Sequence, residues 1–201
     1  KFANRHLYIG GSDFGSVLEV NPYKKRIDLI LEKAQVIKST FCGNEATRRG
    51  EALEQEVIKR FEDEVGLLVA DRQKDFEMEL SGCCLKLLCH VDGLINEEDA
   101  VFEAKTADIK SKTWKDGIPL YYQAQLELNC FLAHRKKAYI AVAFCDGLEI
   151  KDFKYYEYEP HMTTEEIIEA RIKELKMKLI KKTITAEYKF DLPNGLPKDY
   201  P

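Results

Sequence analysis

The sequence predicts a mixed α/β fold of the α+β type, in which a central mixed β-sheet is flanked by helices. Segments with the 3.6-residue period of helices are interspersed with short apolar strands, and two strands flank the tight turn Asp146-Gly147. Helices come first, followed by a β-meander, a helix, two strands and a helix, an order that favours a sheet between helices. The 201 residues are 45% hydrophobic and 33% charged, so we expect one globular domain over residues 1–201.

The first third of the chain contains three predicted helices. The segment from Gly10 to Asp13 opens a short helix at about 13–19, with Ser12 or Asp13 as the N-cap, and residues 26–33 form a second helix. The third helix covers residues 50–65, because apolar side chains recur there at helical spacing. This apolar stripe consists of Leu53, Val57, Ile58, Phe61 and Val65.

The rest of the chain alternates between strands and helices. A loop is expected at 95–100 between two strands of a hairpin, and a basic loop at 107–118. Thr163 or Thr164 caps the last helix, and the tail beyond 190 is expected to be irregular. The predicted elements are two or three strands within 67–95, a strand at 100–106, a helix at 119–133, strands at 137–145 and 149–157, and a helix at 163–182.

Composition excludes several classes of protein. The longest uncharged apolar run, at 138–145, has eight residues, whereas a membrane-spanning helix needs about 20, so we expect no membrane span. The first residues lack the apolar core of a signal peptide, which favours a cytoplasmic protein. The six cysteines form no C-x-x-C pair and no zinc-finger spacing, so a structural zinc is not expected. They are Cys42, Cys83, Cys84, Cys89, Cys130 and Cys145.

Charge is distributed unevenly although the net charge is only −4. Residues 1–50 carry nine Lys and Arg against five Asp and Glu, whereas residues 51–100 carry five against fourteen. This arrangement is typical of a phosphate-binding surface beside a metal-binding carboxylate cluster. A helix with a solvated acidic face is the alternative interpretation of part of the acidic excess.

Asp92, Glu103 and Lys105 are the first candidates for chemistry. Glu103 and Lys105 lie two residues apart in an apolar strand and therefore project from the same face, and a hairpin can bring Asp92 beside them. Two carboxylates among apolar residues need compensation, which Mg²⁺ can supply. The Lys105 ammonium could then orient a water molecule or assist its deprotonation. An exposed hairpin edge would explain the same spacing without any chemistry.

Two polar residues interrupt apolar helix faces. Glu54 lies at helical spacing from Val57, Ile58 and Phe61, so it borders a buried stripe. Gln125 likewise interrupts the largely apolar face of the helix at 119–133, where its amide could hold a water molecule or a phosphate oxygen. A boundary glutamate that reaches solvent and an ordinary hydrogen-bonded core glutamine are the structural alternatives.

The basic loop mixes cations with an aromatic side chain. Lys110, Lys112 and Lys115 surround Trp114, an arrangement that could contact a phosphate backbone or stack on a base. A solvated loop with a packed Trp is the equally acceptable alternative.

Taken together, these motifs resemble the YqaJ-like viral recombinase family, which includes the phage lambda exonuclease and falls within the PD-(D/E)xK nuclease superfamily. The resemblance covers residues 5–157, which would form the core, leaving a C-terminal helix and tail at 163–201. It rests on Gly10-Gly11-Ser12-Asp13, Asn21-Pro22-Tyr23, Arg49-Gly50-x3-Glu54, Asp92-Gly93-x9-Glu103-Ala104-Lys105 and Tyr122-x2-Gln125, in this order.

The resemblance implies a role for each matching residue. Asp92 and Glu103 would be the metal-binding acids, the Ala104 carbonyl a backbone ligand, and Lys105 the catalytic lysine. Glu54 would complete the surroundings of a second metal, and Gln125 would support the nucleophilic water. Arg5 and Ser12 would hold a 5′-phosphate, and a helix N-terminus at Ser12 would also favour an anion.

The resemblance further implies a restriction-endonuclease-like core and a function. The expected protein is a Mg²⁺-dependent 5′-to-3′ exonuclease on linear double-stranded DNA, with Mn²⁺ as a substitute, acting in viral or prophage recombination. Its expected partners are DNA ends, a single-strand annealing protein and further copies of itself in a homotrimer. The alternatives are a restriction-like or junction-resolving endonuclease on the same core, and a catalytically silent DNA-binding module.

Overall fold

A computed structural model describes residues 4–37, 45–79 and 85–162. The predicted final helix at 163–182 therefore lies outside the described residues, as do Cys42, Cys83 and Cys84. The helices are α1 (Gly11–Val17), α2 (Arg26–Lys33), α3 (Glu45–Val65) and α4 (Leu120–Ala133), and short 3₁₀ turns cover Arg5–Leu7 and Asn96–Glu98. The strands are β1 (Tyr8–Gly10), β2 (Lys74–Glu79), β3 (Lys86–Val91), β4 (Gly93–Ile95), β5 (Ala100–Asp108), β6 (Lys137–Asp146) and β7 (Glu149–Tyr158).

The strands form two mixed sheets. In the first, with strand order β1-β3-β2, β1 pairs parallel with β3 and β2 pairs antiparallel with it. In the second, with order β4-β5-β6-β7, β5 and β6 are parallel and both outer pairings are antiparallel. The predicted fold class is confirmed, with mixed sheets flanked by helices. Only Asp92 separates β3 of the first sheet from β4 of the second along the chain.

The second sheet lies between two apolar clusters. Strand β6 is buried almost throughout, as is usual for a central parallel strand covered on both faces. Ile140 and Val142 point into one cluster, which α1 and α4 help to form, whereas Tyr139 and Ala141 point into the other. Phe61 of α3 contributes to that second cluster. The strand's two-residue period therefore separates the face that packs against α3 from the face that packs against α4.

Helices α1 and α4 approach each other closely through two glycines of α1. A Cβ atom at Gly15 would lie 3.0 Å from Cβ and 3.2 Å from Cα of Tyr121. A Cβ atom at Gly11 would lie 2.7 Å from Oδ1 of Asn129. Since both glycines are buried, side chains there would push the helices apart. The close approach brings the start of α1 beside the middle of α4.

Several sequence predictions are confirmed, and some details need correction. Helix α1 spans Gly11–Val17 rather than 13–19, and α3 begins at Glu45 rather than at 50, because the apolar stripe that predicted α3 starts only at Leu53. Helix α2 and the end of α3 at Val65 match the predicted bounds. The predicted N-cap of α1 is wrong, because the N-cap is Gly10, whose N–H donates to Oδ2 of Asp13 at 3.1 Å. Ser12 instead lies exposed in the first turn. The basic loop begins later than predicted, because β5 continues to Asp108. No helix in the described ranges is long and apolar enough to cross a membrane.

Candidate active site

Glu103 and Lys105 lie side by side on β5, as their spacing predicts. Lys105 Nζ is 2.6 Å from Glu103 Oε1 and 5.2 Å from the centre of the Tyr122 ring on α4. Glu103 is buried, and Lys105 is partly buried. An ammonium and a carboxylate are thus held together on the face of the sheet that α4 covers.

Asp92 joins this pair from the junction between the two sheets. Strands β4 and β5 form the predicted hairpin, in which Gly93 pairs with Phe102. The backbone N–H of Ala104 donates to Asp92 Oδ2 at 2.8 Å, so the carboxylate is attached to the strand that carries Glu103. The predicted convergence of these residues is therefore present in the structure.

Helix α4 supplies two amides to the buried carboxylate. Gln125 Nε2 donates to Glu103 Oε1 at 2.6 Å, and Asn129 Nδ2 donates to Glu103 Oε2 at 3.1 Å. Both amides are buried, and four residues along a helix place them on one face. Asn129 is not among the site residues predicted from the sequence, although it shares a helix face with Gln125.

Burial dominates the electrostatics of Glu103. Desolvation above all, and then the nearby charge of Asp92, raise the pKa of Glu103, whereas Lys105 and Gln125 lower it, and the net pKa is about 7. The pKa of Lys105 is lowered by burial, but the charges of Glu103 and Asp92 outweigh burial and hold it above its usual value. The lysine therefore remains charged, and its single positive charge is opposed by the two carboxylates of Glu103 and Asp92 in a buried site.

Glu54 is linked to the strand of Asp92 through two other side chains. Gln73 Nε2 donates to Glu54 Oε1 at 2.6 Å, and Gln73 Oε1 lies 2.7 Å from Nε2 of His90, two residues before Asp92. The His90 Nδ1 in turn lies 2.5 Å from Asp75 Oδ1. The His90 side chain thus connects β2 and β3 to Gln73, in the turn before β2, and through Gln73 to Glu54 on α3.

The start of α3 also approaches the site. Arg49 Nε donates to Thr106 Oγ1 at 3.4 Å, next to Lys105 in the sequence. A Cβ atom at Gly50 would meet nothing closer than this hydroxyl, at 3.8 Å. The helix that carries Glu54 therefore passes alongside the segment of β5 that carries Lys105.

Arg5 and Ser12 are brought together, as the resemblance implies. Arg5 Nη2 donates to Ser12 Oγ at 3.3 Å and lies 3.7 Å from Asp13 Oδ1. Asp13 is buried and also contacts Lys33 Nζ at 2.8 Å and Lys24 Nζ at 3.6 Å. Lys24 also pairs with Glu32 Oε2 at 2.6 Å, so three cations face two carboxylates and leave one positive charge in excess near the Ser12 hydroxyl.

Asp13 keeps its charge within this cation cluster of Arg5, Lys24 and Lys33. Burial raises the pKa of Asp13, but Lys33 and then Arg5 and Lys24 outweigh burial and hold it below its usual range. Lys33 Nζ also donates to the backbone carbonyl of Arg5 at 2.7 Å. The Asp13–Lys33 pair therefore fixes both ends of Arg5, its main chain through Lys33 and its guanidinium through Asp13.

Trp114 does not belong to an exposed binding loop. It is buried in the core and stacks between Tyr122 and Tyr156, with ring centres 5.3 Å and 5.9 Å away. Lys110, Lys112 and Lys115 are all exposed. Of the two interpretations of this loop, the packed Trp is the one that the structure supports.

The site is rich in oxygen donors of the kind that hard cations prefer. Within residues 4–37, 45–79 and 85–162, no three His, Cys, Asp or Glu side chains stand in an arrangement that could hold a metal ion. The oxygens of Glu103 and Oδ2 of Asp92 instead receive hydrogen bonds from neighbouring groups of the protein. The chemistry available to this cluster is that of two adjacent carboxylates, an ammonium and two amides.

Solved structures share this fold. The alkaline exonuclease LHK-Exo from Laribacter hongkongensis matches with a TM-score of 0.70 and 17% identity, over 94% of this chain and 95% of that chain. A second structure of LHK-Exo, in complex with dAMP, gives a TM-score of 0.67 and 15% identity, over 92% and 94%. A phage-related exonuclease from Haemophilus somnus 129PT gives a TM-score of 0.64 and 16% identity, over 92% and 97%. These structures have the restriction-endonuclease-like fold.

Sequence comparison identifies the family. The YqaJ protein of Bacillus subtilis (strain 168), itself uncharacterized, is 32% identical over 142 residues. The match covers 69% of this chain but only 44% of the Bacillus protein, so the chain spans less than half the length of that relative. The family model of the YqaJ-like viral recombinase domain matches residues 2–136, and the chain belongs to this family.

Proposed function

We propose that this protein is a Mg²⁺-dependent exonuclease that degrades linear double-stranded DNA in the 5′-to-3′ direction during viral or prophage recombination. The observation that carries the proposal is the convergence of Asp92, Glu103 and Lys105 where β3 ends and β5 passes. Membership of the YqaJ-like viral recombinase family and the likeness to exonuclease structures support it.

The donor set suits a divalent cation. The buried Glu103 carboxylate lies near Asp92, and its pKa of about 7 reflects burial first and the charge of Asp92 second, which Lys105 only partly offsets. A cation held by Asp92, Glu103 and the Ala104 carbonyl would stabilise both carboxylates in their charged form, and Glu54 would complete the surroundings of a second metal. When bound, Mg²⁺, or Mn²⁺ in its place, would lower the pKa of water and stabilise the leaving oxygen.

Lys105 acts through its charge. Because its pKa is held above the usual value, the amine stays protonated and does not serve as a general base. Its ammonium, fixed between Glu103 and the Tyr122 ring, would orient the attacking water and offset negative charge on the phosphate in the transition state.

Gln125 positions the water from the side of α4. Its Nε2 is committed to Glu103 Oε1 at 2.6 Å, which directs the amide toward the same point as Lys105. The remaining amide oxygen would accept a hydrogen bond from the nucleophilic water. In the hydrolysis, the water oxygen bonds to phosphorus, the bond from phosphorus to the 3′-oxygen breaks, and a proton passes to that oxygen.

Arg5 and Ser12 would direct the enzyme to a DNA end. The guanidinium and the hydroxyl lie 3.3 Å apart in the cation cluster, and this arrangement suits a terminal 5′-phosphate. The released product would be a deoxynucleoside 5′-monophosphate, the chemical class of the dAMP that LHK-Exo binds. An end-binding pocket benefits an exonuclease and gives no advantage to an enzyme that cuts within the duplex.

Digestion of matched DNA substrates tests the proposal. The protein is incubated with Mg²⁺ and either linear duplex or covalently closed circular DNA, and products are separated by size. We expect mononucleotides from the linear substrate, intact circles, and no reaction with a chelator present. Comparable cutting of circles would support the endonuclease alternative, and DNA binding without cleavage of either substrate would support the silent binding module.

A further inference from the structure

Asn129 is a fully buried amide in contact with Glu103. It has 0% exposure, and its Nδ2 donates to Glu103 Oε2 at 3.1 Å. The other carboxylate oxygen, Oε1, accepts hydrogen bonds from Lys105 and Gln125. Asn129 therefore donates to Oε2, the carboxylate oxygen to which those two residues do not donate.

The orientation of this amide is fixed by what surrounds it. Within the part of the chain that the structure describes, Asn129 Oδ1 is buried and accepts no hydrogen bond. A buried acceptor without a hydrogen-bond partner destabilises the folded protein, so the contact made by the amide oxygen does not explain why an amide is placed there. Turning the amide over would direct Oδ1 at a carboxylate oxygen of Glu103, and two acceptors would then repel each other. The N–H must face Glu103.

The start of α1 leaves room for this amide and for little else. A Cβ atom at Gly11 would lie 2.7 Å from Asn129 Oδ1 and 3.3 Å from Gln125 Cγ. Real Cβ atoms do not approach that closely, so any larger residue at position 11 would displace the Asn129 side chain. Gly11 and Asn129 thus form a matched pair across the α1–α4 contact.

We propose that Asn129 is a positioning residue that fixes the plane of the Glu103 carboxylate for the divalent cation, an inference that rests on the proposed function. Rotation about the Cγ–Cδ bond of a glutamate is easy, so contacts to Oε1 alone would leave the position of Oε2 unfixed. The hydrogen bond from Asn129 stops this rotation. Groups that orient a metal ligand from behind are worth about 10 to 100-fold in metal affinity or activity.

Cation binding without DNA tests this role separately from cleavage. The affinity of the metal-free protein for Mn²⁺ is measured by titration calorimetry for the wild type, Asn129→Leu and Asn129→Ala, together with each melting temperature. We expect both variants to bind Mn²⁺ about 10 to 100-fold more weakly than the wild type. The alanine variant, which adds no bulk, carries the test if the leucine variant does not fold. Cys130→Ala is the matched control, because Cys130 is the next buried residue of α4.

Gly11→Ala provides an independent variant that leaves Asn129 in the sequence. The new methyl group would displace the amide, so we expect weaker Mn²⁺ binding in the same direction, although Ala favours the helix over Gly. Wild-type Mn²⁺ affinity in Asn129→Ala, or an equal loss in Cys130→Ala, would overturn the positioning role. If the wild type itself neither binds Mn²⁺ nor cleaves DNA, the proposed function fails, and this inference fails with it.

Discussion

The Ala104 N–H donates to the Asp92 carboxylate at 2.8 Å, which attaches the junction between the two sheets to the strand that carries Glu103 and Lys105. This bond forms just beyond the paired part of the β4–β5 hairpin, on a strand whose backbone donors would ordinarily serve a neighbouring strand. Strand β4 ends its pairing at Gly93 opposite Phe102, so the N–H of Ala104 is available to the side chain. The shortness of β4 is what allows Asp92 to join the site.

The first prediction is that Asp92→Asn abolishes cleavage while the fold is retained. The asparagine oxygen can still accept from Ala104, so stability should change little, whereas a negative charge is lost from the cation site. We expect the cleavage rate on linear duplex DNA to fall more than about 100-fold, since even residues behind a metal ligand cost about 10 to 100-fold. Asp146→Asn, in an exposed turn, is the control. Activity near that of the wild type would refute the metal-binding role of Asp92.

The second prediction distinguishes an effect of Lys105 on the cleavage rate from an effect on DNA binding. Lys105→Ala should lower the single-turnover cleavage rate by about 10² to 10³-fold, because it removes the fixed charge proposed to lie beside the attacking water. DNA affinity should change little, because Lys105 is partly buried beneath Tyr122. The control is Lys136→Ala, whose side chain is 87% exposed. An equal loss of rate and affinity would indicate that Lys105 merely contacts the DNA backbone.

The third prediction concerns stability against pH without divalent cations. The folded-state pKa of Glu103, about 7, lies above its ordinary value of 4.5. Between these values the unfolded chain releases a proton that the folded chain retains, so rising pH favours unfolding. The contribution of Glu103 to stability should therefore fall from about pH 4.5 to pH 7 and level off above that.

Melting temperatures of wild type and Glu103→Gln, measured in chelator across pH 5 to 8, check this contribution. The stability of the variant relative to the wild type should increase with pH up to about 7, because glutamine cannot ionise. Added Mn²⁺ should stabilise the wild type more at pH 8 than at pH 5, since the carboxylate is charged only at the higher pH. A difference between the two proteins that does not vary with pH would contradict the raised pKa.

The fourth prediction contrasts two glycines in helices. Gly15→Ala should destabilise the protein by about 1 to 3 kcal/mol, because the methyl group would press on the backbone of Tyr121 at the α1–α4 contact. Gly50→Ala should instead stabilise it by about 0.4 to 1 kcal/mol, because the nearest atom is 3.8 Å away and alanine is the better helix former. Chemical denaturation of both variants gives the two free energies of unfolding. Equal effects would show that α1 and α4 are not packed as closely as described.

Periodicity predicted the elements that are long enough to repeat. The stripe that contains Val57, Ile58 and Phe61 predicted α3 and its end at Val65, where Gly66 takes a left-handed conformation with a φ of 78°. Strand β1 has only three residues, and its parallel pairing with β3 joins positions almost 80 residues apart. A pairing of this kind depends on the tertiary fold and leaves no periodic signal in the sequence.

The candidate site was predictable where its residues are close in sequence. Glu103 and Lys105 share a strand face, and a hairpin relates Asp92 to them, so spacing alone was informative. The donor role of Asn129 depends on how α4 sits over β5, which spacing within one helix cannot give. The burial of Lys33 against Asp13 likewise requires α2 to pack beside α1, and the sequence showed only two ordinary charged residues there.

The last prediction concerns the end of the DNA. Arg5 Nη2 and Ser12 Oγ lie 3.3 Å apart, and the cation cluster around Asp13 adds positive charge behind them. A charge-assisted contact from Arg5 to a terminal 5′-phosphate would contribute about 1.5 to 3 kcal/mol, or about 10 to 150-fold in equilibrium terms. The wild type should therefore degrade 5′-phosphorylated duplex ends faster than matched 5′-hydroxyl ends.

Digestion rates of Arg5→Ala and of the wild type on the two substrates measure this preference. The variant should lose most of the preference for 5′-phosphate while its Mn²⁺ affinity stays unchanged, because Arg5 contacts Ser12 and Asp13 in the cation cluster, whereas the proposed cation site is built on Asp92 and Glu103. Arg60→Ala, on the exposed side of α3, controls for the general loss of a positive charge. Equal wild-type rates on both ends would remove the case for an end-binding pocket, and with it the argument that separates an exonuclease from an endonuclease on this fold.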